Sequence, residues 1–377
     1  MKPLSVYIHI PYCEHKCVYC DFYSVINFKN QAEYLHTLKK EIRFYGERFR
    51  NQFFIKTIFF GGGTPSLMKT EYIAEILNEL SNNFKLNDDS EITLETNPGT
   101  VSKNKLKDFR SIGINRLSVG VQSFDNNDLK FLTRIHTKED AVRTVLDAAG
   151  IGFENISLDM IFNLPGQTKS KWIENLRSAV ELPVKHISAY SLILERGTIL
   201  NKWVLDGKVK IGDKDYDADL YEITQRYLIS NGFPQYEVSN FAMRGFECVH
   251  NKQYWNYGDY LGLGAAAHSF VNNKRWWNYK SLTFYLKSMS EKGEASAGSE
   301  ILNDKERVEE FVMLALRSSG LNIEALKNDF DSQWIKKNQD KLSKFQNFGL
   351  LDIDDKFIRL TEKGYALCDE MLTEFEY

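Results

Sequence analysis

Short apolar runs alternate with stretches of helical period in the first half of the chain, and this alternation limits the possible folds. Six runs have the character of buried strands: Ser5–Ile10, Lys56–Phe60, Glu91–Glu95, Arg116–Val121, Asn155–Ile161 and His186–Leu192. Helices are predicted between most of them, at Gln31–Phe49, Thr70–Asn83, Lys138–Ala149 and Lys171–Val180. Strands that alternate with helices form βαβ units and a parallel sheet. The pattern therefore predicts an α/β fold, a partial (β/α)6 TIM-like barrel that is not fully closed.

Polar or glycine-rich segments follow these strands. A cysteine-rich loop follows the first strand, and a run of glycines that starts at Gly61 follows the second. Further along, polar segments start at Glu95 and at Gln122, and Asp159 lies near the end of its strand. Because the carboxyl ends of all strands in a βα barrel open on one face, we expect these segments to meet in one cavity. The sequence predicts the functional site there.

The cysteine-rich loop has the spacing of a metal or redox site. The chain has five cysteines: Cys13, Cys17, Cys20, Cys248 and Cys368. An odd number of cysteines without an apolar export signal argues against a disulfide framework and for a cytoplasmic protein. A 4Fe–4S cluster held by the first three thiolates would keep one iron open, because such clusters take four ligands. Structural zinc, completed by His9, His15 or Cys248, is the alternative that spacing alone leaves open.

Charge and hydropathy disfavour several classes of protein. The 48 Lys and Arg residues nearly balance the 51 Asp and Glu residues, so the net charge is −3. Such a chain has no overall positive field to hold nucleic acid, and residues 320–377 carry more acidic than basic side chains. No uncharged apolar run reaches the ~18–20 residues that span a bilayer. We therefore expect neither a membrane-spanning protein nor a nucleic-acid partner.

Composition and pattern divide the chain into three parts. Residues 1–235 hold the barrel, residues 236–300 form an aromatic-rich connecting region, and residues 301–377 form a C-terminal domain. In the last part, an amphipathic helix at Lys305–Ser318 is followed by a pattern of helix, β-hairpin and helix start. This outline is that of an α+β winged-helix-like domain. A role as a lid or as a docking surface for an acceptor fits it better than nucleic-acid binding.

Motifs that occur in order along most of the chain resemble one protein family. Cys13-Glu-His-Lys-Cys17-Val-Tyr-Cys20 resembles the cluster loop of radical S-adenosylmethionine (SAM) enzymes. The match continues through Gly61-Gly-Gly-Thr-Pro-Ser66, Glu95-Thr-Asn-Pro98, Ser118-Val-Gly-Val-Gln-Ser-Phe124, Arg134-Ile-His136, Leu164-Pro-Gly-Gln167 and Gly262-Leu-Gly-Ala-Ala-Ala-His-Ser269. Within this superfamily the chain is similar to the branch that contains oxygen-independent coproporphyrinogen III oxidase and the heme chaperone HemW. The resemblance implies a radical SAM barrel with a 4Fe–4S cluster, and it displaces zinc.

The resemblance also implies a role for each motif. Cys13, Cys17 and Cys20 match the cluster ligands, and in the family the open iron binds the amino and carboxylate groups of SAM. An electron from a donor such as flavodoxin or ferredoxin then cleaves SAM to a 5′-deoxyadenosyl radical. The positions that match SAM-binding residues of the family are Tyr7, Tyr19, Gly61, Gly62, Gly63, Thr64, Glu95, Gln122, Arg134 and Asp159.

Three features place the chain on the chaperone side of this branch. The oxidase has a longer segment before its cluster, and it has a further cysteine at the position of Phe22. His250-Asn-Lys-Gln-Tyr-Trp255 resembles the HNxxYW signature that the HemW side associates with heme binding. We therefore expect His250, Asn251, Tyr254 and Trp255 to bind heme, with the His and Tyr rings on one helix face. The alternative is that these residues form the core of a subdomain.

The function implied by the resemblance is that of a cytoplasmic heme chaperone. It would bind the cluster, SAM and heme, and deliver the heme to an acceptor protein. We expect this acceptor to belong to a membrane respiratory chain, which would make any membrane association peripheral. Oxygen-independent oxidative decarboxylation of coproporphyrinogen III propionates is the alternative. We expect the chain to lack that activity, and the sequence assigns no catalytic residue.

Two positions depart from the family pattern. Thr133 stands where the family usually has Gly before Arg134, and Asn163 stands where Gly usually precedes Leu-Pro-Gly-Gln. Asn tolerates a positive φ better than most residues, so the second change is mild. The first is expected to alter the loop that carries Arg134 and so its contact with SAM.

Overall fold

Six parallel strands form the centre of the structure, each at a position where the sequence predicts one. In the computed structural model, which describes residues 1–377, they are β1 Lys2–Ile10, β2 Phe53–Gly62, β3 Lys85–Thr96, β4 Arg116–Gln122, β5 Asn155–Phe162 and β6 His186–Ser191. Each strand pairs in parallel with the next one along the chain. All six therefore end on the same face, as the predicted barrel requires.

Helices connect these strands and cover the outer face of the sheet. They are α1 Gln31–Phe49, α2 Thr70–Asn83, α3 Lys103–Ser111, α4 Asn126–Phe131, α5 Lys138–Ile151, α6 Lys169–Val180, α7 Ile199–Leu205 and α8 Lys214–Ser230. Several begin at a side chain that accepts a backbone N–H, such as Ser102 for α3 and Thr137 for α5. Gly152 then ends α5 in the left-handed conformation. The four predicted helices are confirmed, with ends that differ by at most a few residues.

The sheet extends beyond the six predicted strands at both edges. The additional strands are β7 Asn240–Ala242, β8 Tyr260–Leu263, β9 His268–Val271, β10 Lys274–Asn278 and β11 Ser296–Ile301. The strand order is β11-β10-β9-β8-β1-β2-β3-β4-β5-β6-β7. Strand β7 runs antiparallel to β6, and β8 runs parallel to β1. Because β1 and β6 are not neighbours, the barrel is open, as predicted.

Two helices belong to the region between β7 and β11, namely α9 Val249–Trp255 and α10 Leu282–Lys292. The first carries the His250-Asn-Lys-Gln-Tyr-Trp255 motif and is helical, as the spacing predicts. It packs on the cavity side of the sheet, where the His250 ring stacks on Phe59 with centroids 5.0 Å apart. Residues 57 and 59 are two apart in β2 and so lie on the same face of the strand. Thr57 also contacts this helix.

The C-terminal part has a sheet and a core of its own. Its elements are α11 Asp304–Leu316, β12 Leu321–Asn322, α12 Ile323–Ala325, a π-helical turn at Leu326–Phe330, α13 Trp334–Lys337, α14 Gln339–Asn347, β13 Leu351–Ile353, β14 Phe357–Leu360, α15 Glu362–Ala366 and α16 Cys368–Glu374. The predicted order of helix, hairpin and helix is present as α14, β13–β14 and α15. Strand β14 lies between β12 and β13, and Trp334 is fully buried in the core beneath them.

Contacts between the C-terminal part and the rest of the chain are both polar and apolar. Val238 N–H donates to the carbonyl of Arg317 at 2.9 Å. Tyr257, just after α9, packs edge-on against Phe311 and Phe330. The main core runs from Leu4 to Ala295 and the second from Val308 to Phe375. The division into domains at 235/236 and 300/301 stays a prediction. None of the helices combines the length and the apolar character needed to cross a bilayer.

Candidate functional site

A single cavity of about 690 Å³ occupies the open barrel. Side chains from all six parallel strands or the loops that follow them line it, and α9 closes one side. Its volume lies in the range of small-molecule and cofactor sites. The expectation that segments far apart in the chain converge on this face is therefore met.

Most of the predicted site residues line this cavity. They are Tyr7, Cys13, Cys17, Tyr19, Cys20, Gly62, Gly63, Thr64, Glu95, Gln122, Arg134, Asp159, His250, Asn251 and Tyr254. Two predicted residues do not line it, Gly61 and Trp255. A Cβ at Gly61 would lie 2.9 Å from the Tyr7 ring, so this glycine permits close packing of β2 on β1. The indole N–H of Trp255 is buried without a hydrogen-bond partner.

The cysteine loop lies directly against the glycine run that follows β2. Gly63 N–H donates to the carbonyl of Ile10 at 2.8 Å, and Thr64 N–H donates to that of Tyr12 at 2.7 Å. A Cβ at Gly63 would lie 2.6 Å from the Tyr12 carbonyl oxygen, so only glycine fits. The Thr64 hydroxyl then lies 3.2 Å from the sulfur of Cys13. The glycines thus bring the two loops together at the cavity wall.

Arg134 links the cysteine loop to the ends of β3 and β4. Its Nη1 lies 3.8 Å from the sulfur of Cys17, and its Nη2 donates to Asn97 Oδ1 at 2.5 Å and to the Gly120 carbonyl at 2.8 Å. Thr133 has φ +57°, the left-handed conformation that glycine adopts without strain. Its hydroxyl accepts the N–H of Val18 at 3.2 Å. The threonine therefore keeps the glycine-like turn, and Arg134 still lines the cavity.

Two partly buried carboxyl groups lie on the cavity wall. Glu95 accepts the N–H of Gly62 at 3.2 Å, and burial together with the nearby Asp159 raises its pKa to about 8. Asp159 accepts the Ser118 hydroxyl at 3.0 Å, and burial also raises its pKa. At neutral pH the Glu95 carboxyl is therefore mostly protonated, which makes it a hydrogen-bond donor as well as an acceptor.

Two further cavity residues have fixed conformations: Gln122 through its backbone, and Tyr7 through a hydrogen bond to a histidine ring. Gln122 has φ +66° at the end of β4, a strained conformation of the kind that clusters at ligand sites. The Tyr7 hydroxyl lies 3.1 Å from Nδ1 of His9, whose Nε2 lies 3.0 Å from the carbonyl of Tyr23. Burial lowers the pKa of His9 to about 4, so this ring is neutral. Both ring nitrogens of His9 are therefore engaged, one by Tyr7 and one by the loop that carries the cysteines.

Both ring nitrogens of His250 are engaged. Its Nδ1 lies 2.7 Å from the Thr57 hydroxyl, and its Nε2 lies 2.9 Å from the Tyr254 hydroxyl. Thr57 donates its own proton to Ser5 at 2.7 Å, so it accepts the proton of Nδ1. Nε2 therefore carries the lone pair and accepts from Tyr254. Burial, helped by the charge of Arg116, lowers the pKa of His250 to about 3, which keeps the imidazole neutral.

The first turn of α9 is fixed by a residue that the sequence did not reveal. Glu91, in β3, accepts the backbone N–H groups of Val249 at 3.1 Å and of His250 at 3.0 Å. The buried side chain of Arg116 lies beside it and lines the cavity. Arg116 could have been noticed in the sequence, because it is a charged residue at the start of an apolar strand. Nothing local distinguished Glu91, because its partners are more than 150 residues away.

Comparisons with known proteins agree with this geometry. The Radical SAM superfamily profile matches residues 7–179, and the HemN C-terminal domain profile matches residues 302–367. The chain is 35% identical to the heme chaperone HemW of Lactococcus lactis, over 99% of this chain and 97% of that protein. It is 34% identical to the heme chaperone HemW of Bacillus subtilis, over 98% of each chain. This chain belongs to the HemW family of radical SAM proteins.

Relatives outside bacteria and a solved structure support the same assignment. A mitochondrial radical SAM domain-containing protein 1 of Danio rerio is 34% identical, over 98% of this chain and 86% of that protein. The solved coproporphyrinogen III oxidase HemN of Escherichia coli, a radical SAM enzyme, superposes with a TM-score of 0.85 at 25% identity, over 99% of this chain and 89% of that one. Membership of the radical SAM superfamily implies a 4Fe–4S cluster and SAM. The predicted fold is confirmed.

Proposed function

We propose that this protein is a heme chaperone that binds a 4Fe–4S cluster, SAM and heme, and delivers the heme to an acceptor protein. One observation carries the proposal. The helix with the HNxxYW motif lines the same cavity as the three cysteines, and its neutral His250 is one of the lining residues. The curated relatives named above as heme chaperones match nearly the whole chain. We further propose that it works in the cytoplasm and meets a membrane respiratory acceptor peripherally.

The proposed cluster ligands are Cys13, Cys17 and Cys20. Their side chains line one wall of the cavity and are partly exposed to it, whereas Cys248 and Cys368 are buried. Burial raises the pKa of the Cys20 thiol to about 11, so the thiolate needs a neighbouring cation. Thiolates are the ligands that iron–sulfur clusters take, and we propose that these three hold the cluster. When bound, the cluster supplies an electron for cleavage of SAM, and a flavodoxin or ferredoxin is the electron donor that we propose for any such turnover.

The proposed SAM site adjoins the cysteine loop. Gly62, Gly63 and Thr64 offer backbone with little side-chain bulk at the cavity wall, and Arg134 and Glu95 flank them. Two unsatisfied polar groups support a ligand here: Nε of Arg134 and the hydroxyl oxygen of Thr96 are buried without partners. Tyr7, Tyr19, Gln122 and Asp159 complete the set of proposed contacts. Their polar atoms can hydrogen-bond an adenosyl group and an amino acid group.

The proposed axial ligand of the heme is Nε2 of His250. That nitrogen holds the lone pair, and neutral imidazole is a common axial ligand of heme iron. Burial raises the pKa of Tyr254 well above its usual value, which disfavours a tyrosinate ligand. Tyr254 must release Nε2 before iron can bind it. Asn251, on the same helix, also lines the cavity and is a further proposed contact.

Oxidative decarboxylation of coproporphyrinogen III is the competing function, because the HemN structure superposes well. Phe22 stands where we expect that enzyme to have a further cysteine, and its side chain is 63% exposed at the cavity. The higher identity to proteins named heme chaperones favours chaperone function. Anaerobic turnover of coproporphyrinogen III by the reconstituted protein, with SAM and reductant, would reverse this preference.

The test of the proposed function is an anaerobic hemin titration of the cluster-reconstituted protein, followed by the Soret band. We expect saturation near one hemin per chain and a clear loss of affinity in His250→Ala. His36→Ala, on the exposed face of α1, is the matched control and should bind as the wild type does. Absence of saturable binding in the wild type would refute the chaperone function. Binding that is indifferent to His250→Ala would refute only the proposed ligand.

A further inference from the structure

Arg116 is a buried guanidinium with no hydrogen-bonding partner at Nε. It is the first residue of β4, its side chain is 2% exposed, and it lines the cavity. Its nearest anion is Glu91, at 4.0 Å from Nε to Oε2, which is longer than a hydrogen bond. Buried polar groups are nearly always satisfied. Nε of Arg116 is an exception, so this guanidinium lacks a directly bonded anion although the residue lines the cavity.

The three carboxyl groups near Arg116 are engaged elsewhere. Glu91 accepts the backbone N–H groups at the start of α9, and Glu95 accepts the N–H of Gly62. Asp159 accepts the Ser118 hydroxyl with both of its oxygens, at 3.0 and 3.1 Å. None of the three forms the parallel pair of hydrogen bonds that a guanidinium makes with a carboxylate. Arg116 is thus charge-compensated at a distance and still free to bind a carboxylate.

Arg116 lies at the opposite end of the strand from the cysteine loop. Gly120, whose carbonyl accepts from Arg134 beside Cys17, is four residues further along β4. At about 3.3 Å per residue, this places the Arg116 backbone ~13 Å from that level. The residue instead faces the start of α9, where its charge acts on Cys248 and His250. We call this end of the cavity, lined by Arg116, Asn251 and Tyr254, the cavity floor.

We infer that Arg116 binds a carboxylate of the ligand on the cavity floor, and that this carboxylate is a propionate of the heme. The assignment to heme rests on the proposed function. Heme carries propionates on one edge of its macrocycle, and the floor also holds His250, the proposed axial ligand. SAM also has a carboxylate, but we expect that group at the cluster, at the other end of the cavity. Arg116 would therefore orient the macrocycle by one edge, while His250 of α9 binds its iron.

The test compares hemin with its dimethyl ester, in which both propionates are blocked. We expect the cluster-reconstituted wild type to bind hemin about ten- to hundredfold more tightly than the ester, because the ester cannot form the charge-assisted hydrogen bonds between a propionate and Arg116. Arg116→Gln should weaken hemin binding to the level of the ester and remove the preference. Because that variant leaves Glu91 uncompensated, the double variant Arg116→Gln/Glu91→Gln is measured beside it. Arg226→Gln, on an exposed part of α8, is the control.

A second titration with SAM separates the two sources of carboxylate. Unchanged SAM affinity in Arg116→Gln, with loss of the preference for hemin, supports the propionate assignment. Loss of SAM affinity with an unchanged preference for hemin over the ester would assign the carboxylate to SAM and overturn the propionate assignment. Equal binding of hemin and ester by the wild type would also overturn it. If the wild type binds no hemin, the chaperone function fails, and unchanged SAM affinity in the variant then refutes the carboxylate site itself.

Discussion

Nε2 of His250 accepts a hydrogen bond from the Tyr254 hydroxyl, one turn further along α9, at 2.9 Å. The rings are perpendicular, with centroids 5.0 Å apart, so the hydroxyl covers the lone pair that an iron would use. Thr57 fixes the other nitrogen as a donor. The free protein therefore holds its proposed heme ligand neutral, oriented and masked. Iron can bind this nitrogen only after the Tyr254 hydroxyl has moved away from it.

Removal of the masking hydroxyl should tighten heme binding. Tyr254→Phe leaves the ring packing in place and frees the lone pair of His250, at a gain equal to one hydrogen bond, ~0.5–1.5 kcal/mol. We expect up to about tenfold higher hemin affinity in a Soret titration. Tyr260→Phe, which removes the hydroxyl from the ring that packs against Tyr254, is the control and should leave affinity unchanged. Complete loss of binding in Tyr254→Phe would instead identify the tyrosine as the ligand.

Each cysteine of the loop should be required for the cluster. Replacement of Cys13, Cys17 or Cys20 by Ser should remove most of the iron and sulfide from the reconstituted protein, because each change removes one of the three proposed thiolate ligands. The measurement is iron and sulfide content with the visible absorption of the cluster. Cys368→Ser, buried in the C-terminal core, is the control and should keep its full content. Retention of iron by any of the three loop variants would contradict the proposed ligand set.

The sequence predicted the barrel well because its signals are local. Strands such as Arg116–Gln122 and helices such as Gln31–Phe49 are written in short apolar and amphipathic patterns. The extension of the sheet was missed because pairing of β8 with β1 joins segments far apart in the chain. No short pattern specifies such a partner. The order of strands in the region after residue 235 therefore needed the structure.

The candidate site was predictable where motifs mark it and not where it depends on distant contacts. The cysteine spacing and the HNxxYW motif named Cys13, Cys17, Cys20 and His250, all of which line the cavity. The role of Glu91 in fixing α9 depends on a contact across 159 residues. Gly61 and Trp255 do not line the cavity, although they belong to motifs with members that do. Membership of a motif alone therefore did not predict which side chains reach the cavity.

Glu41 should be essential for stability although it lies outside the cavity. This buried carboxylate on α1 accepts Gly264 N–H at 2.8 Å, Asn278 Nδ2 at 2.6 Å and the Tyr285 hydroxyl at 2.8 Å. Glu41→Ala leaves these donors unsatisfied, so we expect a loss of ~3–5 kcal/mol in the free energy of unfolding. Urea denaturation measures it. Glu33→Ala, on the exposed face of the same helix, should change stability by no more than ~0.5 kcal/mol. Equal effects of the two variants would contradict this role.

Glu95 should make the stability of the protein fall as pH rises. Burial and Asp159 raise its pKa to about 8, from 4.5 in an unperturbed carboxyl. Between these values the folded state keeps a proton that the unfolded chain has lost. The stabilising contribution is therefore complete below about pH 4.5 and is lost as pH rises through about 8. Glu95→Gln stays neutral and can still accept the N–H of Gly62, so it removes this dependence.

The measurement is the free energy of unfolding of wild type and Glu95→Gln in urea, from about pH 5 to about pH 9. We expect the variant to gain on the wild type as pH rises, by ~3–5 kcal/mol at the upper end, since one pKa unit corresponds to ~1.4 kcal/mol. Glu71→Gln, on an exposed position of α2, should show no such trend. A difference between wild type and Glu95→Gln that is independent of pH would mean that Glu95 is ionised in the folded protein.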